Sequence, residues 1–178
     1  MTNSYFDDKR IFQYRIIPAK KIVFSEETAK ACAANVCGKY GTCWTCPPGV
    51  GEWRELEKKI KSYANAAVFS CKYELEDSFD FESMRKGGKS TRKVLAEITE
   101  RMHNDDIEFM ALGVESCDLC EKCTYPEKPC RFPDKAVPSV EACGIDVVTL
   151  SKNIGINYSN GTNTVTYFCI ILTDAHIE

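Results

Sequence analysis

The chain has 178 residues, of which 23 are Lys or Arg and 26 are Asp or Glu, and this composition with a net charge of −3 is typical of one ordinary globular domain. The near-neutral balance gives no electrostatic reason to expect nucleic-acid binding, and no apolar run approaches the roughly 18 residues of a membrane span. Eleven cysteines stand out, and because their number is odd, no disulfide scheme pairs them all.

Strands and helices are predicted to alternate from the first apolar segment onward. Residues 22–24 form a short apolar run that predicts a strand, and Ser25 followed by two acids predicts the start of a helix. Residues 32–51 contain cysteines, glycines and prolines without regular periodicity, so we expect a structured loop. Apolar residues at helical spacing over 53–63 predict a helix, and residues 66–73 predict a strand.

A reversal of charge precedes the second half of the elements. Residues 74–82 contain five acids and residues 85–93 five bases, and we expect both blocks to lie exposed in one connection. Helical periodicity resumes over 94–102, and residues 109–114 predict a strand that leads into a second cysteine loop. That loop runs over 117–137 and is stiffened by prolines.

The last two elements are a helix and a strand. Ser139 is predicted to cap a helix that stops at Gly155, because glycine commonly terminates helices. A turn at Asn160 and Gly161 precedes the clearest strand of the chain, at residues 165–172.

This order favours an α/β or α+β fold, in which a single-layer sheet of about four strands is covered by helices. Because the cysteine loops at 32–51 and 117–137 join elements of one sheet, we expect residues 1–178 to form a single metal-binding domain. The long apolar final strand would allow two copies of the chain to pair through a sheet edge.

The N-terminal residues predict a cytoplasmic protein. Residues 1–15 have no apolar core of a signal peptide, and acids occur early among them. In a reducing cytoplasm disulfides are rare, and clustered cysteines more often hold metal or carry out redox chemistry.

The strongest chemical signal is the C-x2-C-x2-C-x6-C run of the second loop. Its first three members, Cys117, Cys120 and Cys123, are called the triplet below. Three cysteines at this spacing let one short loop supply three thiolates, which favours an iron-sulfur cluster over the paired C-x2-C units usual for zinc. The fourth member, Cys130, departs from the bacterial ferredoxin run, in which Cys-Pro follows after three residues.

The first loop supplies further candidate ligands. Cys32 and Cys37 are followed by the step Cys46-Pro47, and a cysteine before proline ligates a remote cluster in two-cluster ferredoxins. Two assignments follow from the spacing. Either one cluster binds the triplet and one of Cys130 or Cys46, or a second metal is held by Cys32, Cys37, Cys46 and a further thiol.

Together these motifs resemble the predicted metal-binding proteins catalogued as domain of unknown function 2284. The resemblance rests on the two cysteine blocks in this order and on the segment Pro-Ser-x-Glu-Ala-x-Gly-Ile-Asp-Val at 138–147, and it covers residues 20–157. It implies a cysteine-bound metal of the iron-sulfur kind, in bacteria and archaea that are often anaerobic. It implies no particular activity.

The eleven cysteines thereby fall into three groups. Cysteine is not typical of the family at two positions, so the resemblance ranks Cys43 and Cys143 below the other loop cysteines. Cys71 and Cys169 lie within apolar strands and are predicted to belong to the core. The predicted metal ligands are Cys32, Cys37, Cys46, Cys117, Cys120, Cys123 and Cys130.

The leading functional hypothesis is an iron-sulfur protein that carries one or two [4Fe-4S]-type clusters for electron transfer or as a redox cofactor. Its cofactor-binding residues are predicted to be Cys117, Cys120, Cys123 and Cys130. One alternative is an enzyme in which a cluster iron without a protein ligand acts as a Lewis acid. The other is a structural zinc module that pairs Cys43-x2-Cys46 with Cys117-x2-Cys120. The first role implies a redox partner protein and the second a small-molecule substrate; no catalytic residue is assigned.

Two weaker signals lie outside the cysteines. Residues 88–91, Gly-Lys-Ser-Thr, resemble the end of a phosphate-binding P-loop, but position 83 is Ser instead of the required Gly. We therefore interpret them as a solvated basic start of a helix. Tyr40 and Trp44 lie inside the first loop, where they either shield a cluster from water or anchor the loop in the core.

Overall fold

A computed structural model describes residues 4–177. Its centre is one antiparallel sheet with the strand order β1-β2-β4-β3. The strands are β1 Gln13–Pro18, β2 Asn65–Glu74, β3 Met110–Leu112 and β4 Thr164–Thr173. The helices are α1 Glu26–Ala33, α2 Trp53–Ser62, α3 Phe81–Asn104 and α4 Val147–Ile154, with short 3₁₀ turns at Ala19–Lys21 and Glu141–Cys143. The four-stranded sheet with covering helices confirms the predicted fold and makes it α+β.

The two long central strands bury both of their faces, because successive side chains of a strand point to opposite sides. One face carries Ala66, Val68, Phe168, Ile170 and Leu172. The other carries Ala67, Phe69, Cys71, Cys169 and Ile171. Cys71 and Cys169 are fully buried, as predicted for core thiols.

Helices pack on both faces of the sheet and form three layers. The long helix α3 covers one face with Val94, Leu95, Ile98 and Met102. On the other face, α2 contributes Ile60, α4 contributes Val147 and Leu150, and the turn before α4 contributes Val140, Cys143 and Ile145. No helix within residues 4–177 is long and apolar enough to cross a membrane.

The first strand differs from the prediction. Residues 22–24 do not form a strand, because Ile22 is buried in the core and Phe24 makes only an isolated bridge to Ile145. The true β1 lies earlier, at the sheet edge, where most of its side chains are only partly covered and the alternation of apolar residues is weak. The predicted helix start is confirmed, since the Ser25 hydroxyl accepts a hydrogen bond from the Glu27 amide at 3.1 Å.

The charged connection is the second difference. Helix α3 begins at Phe81, capped by Asp80, so the basic block lies inside a helix and the prediction of an exposed connection is wrong there. Gly87 and Gly88 are buried, and a Cβ atom at Gly87 would lie 2.8 Å from the Tyr73 ring. The helix continues through this glycine pair because only glycine allows it to approach the tyrosine so closely.

The C-terminal half agrees with the prediction except in two respects. The helix expected from Ser139 is interrupted, because a 3₁₀ turn comes first and α4 starts only after Asp146, which caps it. Helix α4 ends at Gly155 in the left-handed conformation, as predicted. Strand β4 lies between β2 and β3, so the final strand is not a sheet edge, and a dimer through an edge would have to use β1 or β3.

Replacing Gly87 tests the close approach of α3 to the sheet. Gly87→Ala adds about 1 kcal/mol of helix propensity but forces a methyl group against the Tyr73 ring, which typically costs about 1–3 kcal/mol. We expect a lower midpoint of urea unfolding, with a net loss of about 1 kcal/mol. Lys89→Ala, on the exposed side of the same helix, is the control and should change stability by less than about 0.5 kcal/mol. A stabilised Gly87→Ala variant would contradict the close packing.

Candidate metal centre

The two cysteine loops lie against each other. The Trp44 Nε1–H donates to the Lys128 carbonyl at 3.0 Å, and the Trp44 ring meets the Tyr125 ring edge-on with centroids 4.9 Å apart. The Thr45 hydroxyl accepts a hydrogen bond from the Cys117 amide at 3.3 Å. Side chains of the first loop therefore hold the start and the middle of the second, and Trp44 acts as an anchor between the loops.

A glycine makes this contact possible. A Cβ atom at Gly49 would lie 2.6 Å from the Cys43 carbonyl oxygen and 2.8 Å from the Tyr125 ring. Any other residue would push the second loop away from the first, since real Cβ contacts are longer than this. Gly49 therefore sets the distance between the loops.

One narrow cavity lies between the loops and collects five of the cysteines. Its lining includes Cys43, Cys117, Cys120, Cys123 and Cys130. Leu119, Phe132 and Ala136 add apolar surface. The triplet and Cys130 are partly buried, whereas Cys43 is only 6% exposed. The structure thus brings together all four cysteines of the C-x2-C-x2-C-x6-C run, and Cys43 with them.

The other three predicted ligands, Cys32, Cys37 and Cys46, are not among the residues that line this cavity. Cys32 lies at the end of α1 and its thiol donates to the Glu141 carbonyl at 3.7 Å. Burial raises the pKa of the Cys46 thiol to about 12, with further increases from a hydrogen bond to Cys43 and from the charges of Cys37 and Cys32. Cys37 is exposed, and Cys32 and Cys46 are partly buried.

Burial also controls protonation of these thiols. It raises the pKa of Cys117 and of Cys32, so both thiols are protonated at neutral pH when no metal is bound. Burial alone would raise the pKa of Cys43 too, but hydrogen bonds involving Thr45 and Cys46 lower it below its usual value. Because a metal binds the thiolate form, metal binding at Cys117 and Cys32 releases protons and weakens as the pH falls.

Helix α3 fixes the beginning of the second loop. The Arg92 guanidinium pairs with the carboxylates of Glu115 and Asp118, the latter at 2.7 Å, just before and just after Cys117. A Cβ atom at Gly88 would lie 2.6 Å from the Glu115 carboxylate, so the helix and the loop are in direct contact. The basic block therefore includes a residue that holds the cysteine loop in place.

The surroundings of Cys143 differ from those of the cavity thiols. It is fully buried in the core face that contains Ile145 and Leu150, and burial raises its pKa to about 12. These neighbours are those of a core thiol, although Cys32 is close by.

A comparison with protein families decides what kind of protein this is. A family model described as a predicted metal-binding protein, DUF2284, matches residues 15–173, which include both cysteine loops and three of the four strands in full. The chain belongs to the DUF2284 family. This confirms the resemblance drawn from the cysteine blocks. No curated protein and no solved structure matches the chain.

The donor chemistry of this DUF2284 protein fits the metal binding that the family description states. Thiolates are soft ligands that suit iron-sulfur clusters and zinc, and the cavity offers them partly shielded from water. Within residues 4–177, no group of three or more His, Cys, Asp or Glu side chains stands in an arrangement that could hold a metal ion. The thiols thus share a cavity but do not form a coordination shell in the positions described.

Several residues of the DUF2284 site had no signal in the sequence. Thr45 and Gly49 act through contacts with a loop about 70 residues away, and Arg92 acts on acids that follow another strand. Cys43 had a signal, namely its C-x2-C spacing with Cys46. Of the two alternatives for Trp44, the contacts favour the anchor, and the same ring also lines the thiol cavity.

Removing the Thr45 hydroxyl tests the contact between the loops. Thr45→Val keeps the shape of the side chain but leaves the Cys117 amide without its acceptor, at a typical cost of about 1–3 kcal/mol. We expect faster hydrogen exchange of the Cys117 amide and a lower unfolding midpoint. Thr42→Val, whose hydroxyl bonds only the Lys39 carbonyl in the same loop, is the matched control. Equal exchange at Cys117 in both variants would contradict the contact.

Proposed function

We propose that this protein is an iron-sulfur protein whose second cysteine loop binds at least one [4Fe-4S]-type cluster, used in electron transfer or as a redox cofactor. The observation that carries the proposal is that four cysteines of one run line a single cavity. They are Cys117, Cys120, Cys123 and Cys130. Four cysteine thiolates are the usual ligand set of a [4Fe-4S] cluster.

The spacing of the cysteines favours iron-sulfur over zinc. Zinc sites usually combine two separate C-x2-C pairs, and the zinc alternative paired Cys43 and Cys46 with Cys117 and Cys120. Three of these four line the common cavity, and Cys46 is not among its lining residues. A ligand set drawn wholly from the second loop needs no cysteine of the first loop.

The chain's own residues would set the properties of the site. When bound, the cluster supplies one-electron redox chemistry. Leu119 and Phe132 limit the access of water, and low polarity around a cluster is one of the factors that set its potential. Arg92 and Thr45 hold the Cys117 end of the loop in place. Their role is to position the ligands.

We extend the proposal to a reducing cytoplasm as the place of action, because clustered cysteines there more often hold metal than form disulfides. All eleven lie within the described residues and all eleven are free thiols. We include in the proposal an environment low in oxygen and a redox partner protein, because exposed clusters and thiolates are oxidised readily.

Metal and sulfide analysis of anaerobically purified protein tests the proposal. Wild-type protein should be brown, contain iron and acid-labile sulfide, and bleach with dithionite. Cys120→Ala should lose at least the iron and sulfide of one cluster, because it removes a thiolate of the cavity. Cys71→Ala is the control: it removes a fully buried core thiol and should cost about 1–2 kcal/mol of stability while the iron content stays unchanged.

Two results would contradict the proposal. Colourless wild-type protein with stoichiometric zinc would favour the structural zinc module. Iron content that is unaffected by Cys120→Ala would remove the second loop from the ligand set.

A second candidate function rests on a cleft beside the cavity. This open cleft has a volume of about 610 Å³, within the range of small-molecule sites, and its lining includes Lys128, Glu127 and several prolines. It shares Trp44, Thr45, Cys130 and Ala136 with the thiol cavity. A small substrate in this cleft would lie next to the cysteine whose spacing is irregular, which suits an enzyme with an open iron site.

Cyanide, a small ligand for open iron, distinguishes the two roles. If one iron has no protein ligand, cyanide should change the electron paramagnetic resonance spectrum of the reduced protein, and Cys130→Ala should keep its cluster. If Cys130 completes four-thiolate ligation, the wild-type spectrum should not respond and Cys130→Ala should lose iron. The latter pair of results would rule out the enzyme with an open iron site at Cys130.

A further inference from the structure

Two phenylalanines at the start of helix α3 lie on the protein surface. Phe79 is 77% exposed and Phe81 is 64% exposed, which makes them the most exposed of the nine phenylalanines. Their rings meet edge-on with centroids 6.5 Å apart, so they form one apolar patch, called the aromatic pair below. An exposed apolar patch with a polar rim is typical of a site of protein association.

Acidic side chains precede the aromatic pair. Glu76 and Asp77 lie exposed in the turn before α3, where the Asp77 carboxylate accepts a hydrogen bond from the Phe79 amide at 2.7 Å. In the part of the chain that the structure describes, neither carboxylate forms an ion pair, whereas the nearby Glu74 is paired with Lys72. The turn therefore presents negative charge that this chain does not neutralise.

Basic side chains follow the aromatic pair along α3. Phe81, Arg85 and Lys89 are spaced four residues apart and are all exposed, so they lie on one outer face of the helix. Like charges at this spacing repel each other. Among residues 4–177 neither base has an ion-pair partner, although Lys86 on the same helix is paired with Glu82. The helix thus presents a positive stripe that needs an anionic neighbour.

The order acid, aromatic, base makes this surface complementary to itself. A two-fold axis through the aromatic pair would place the acids of one copy opposite the bases of a second copy, and the reverse. The rings would lie at the centre of the contact, where interfaces concentrate their binding energy, and the charges would lie at its rim. A partner with a single sign of charge would match only one side of the surface.

We propose that residues 76–89 are the interface of a symmetric homodimer, in which the starts of the two α3 helices pack against each other in antiparallel orientation. This contact differs from pairing through the sheet edges β1 or β3. It lies outside the thiol cavity, so the inference does not depend on the proposed function.

Sedimentation velocity of the anaerobically purified full chain tests this interface. Wild-type protein should become dimeric as its concentration rises through the micromolar range. The double variant Phe79→Ser/Phe81→Ser should associate at least about tenfold more weakly, because it removes the apolar centre of the contact. Its circular dichroism should match that of the wild type, since both rings are largely exposed. Phe12→Ser, which removes another exposed ring just before β1, is the matched control and should leave the dimer unchanged.

Charge reversal provides a second test that does not depend on the phenylalanines. Glu76→Lys/Asp77→Asn makes both sides of the surface positive and keeps an acceptor for the Phe79 amide. Arg85→Glu/Lys89→Glu makes both sides negative. Each variant alone should be monomeric because like charges then face each other, and an equimolar mixture of the two should form a heterodimer. Mixing would not restore association to a misfolded variant.

Three results would overturn the proposal. The first is wild-type protein that stays monomeric throughout the concentration range. The second is a dimer that persists in Phe79→Ser/Phe81→Ser, or that is lost in Phe12→Ser instead, which would indicate pairing through the β1 edge. The third is a mixture of the two charge variants that does not associate. None of these results depends on the iron content, so the proposed function is tested separately.

Discussion

The contact between the two cysteine loops is the constraint on which the candidate site depends. The loops are about 70 residues apart in sequence, and each by itself is a segment without regular secondary structure. They meet because the Trp44 indole and the Thr45 hydroxyl bond the backbone of the second loop, at a separation that Gly49 permits. Without this contact the cavity that collects the thiols would not exist.

The sheet gives the loops a fixed base. The second loop leaves the sheet after β3, and Arg92 of α3 holds its start through Glu115 and Asp118. The first loop leaves from α1 and returns into α2, which packs on the face of the sheet opposite α3. Elements of both layers thus position the site, while the cysteines themselves stay on loops that have room to adjust around a ligand.

Much of the fold could be predicted from hydrophobic periodicity. The helix over 53–62, the buried strands β2 and β4 and the glycine end of α4 follow from local patterns, because each buries a regular apolar face or ends at a residue with special backbone freedom. Strand β1 and the first half of α3 escaped prediction for the opposite reason. An edge strand does not need to alternate apolar and polar side chains. Glycine argues against a helix interior when only the sequence is known, and the close packing of Gly87 against the Tyr73 ring shows why α3 contains it.

The sequence by itself determined which residues are candidate metal ligands, because ligand chemistry belongs to the thiol group and x2 spacing brings neighbouring thiols within one loop. It also separated Cys71 and Cys169 from the rest, since a strand pattern already implies burial. Only the tertiary structure decided how the remaining cysteines are grouped. Cys43 and Cys130 join the triplet around one cavity, whereas Cys32, Cys37 and Cys46 stay outside it, because grouping depends on how two distant loops pack, and no local spacing carries that information.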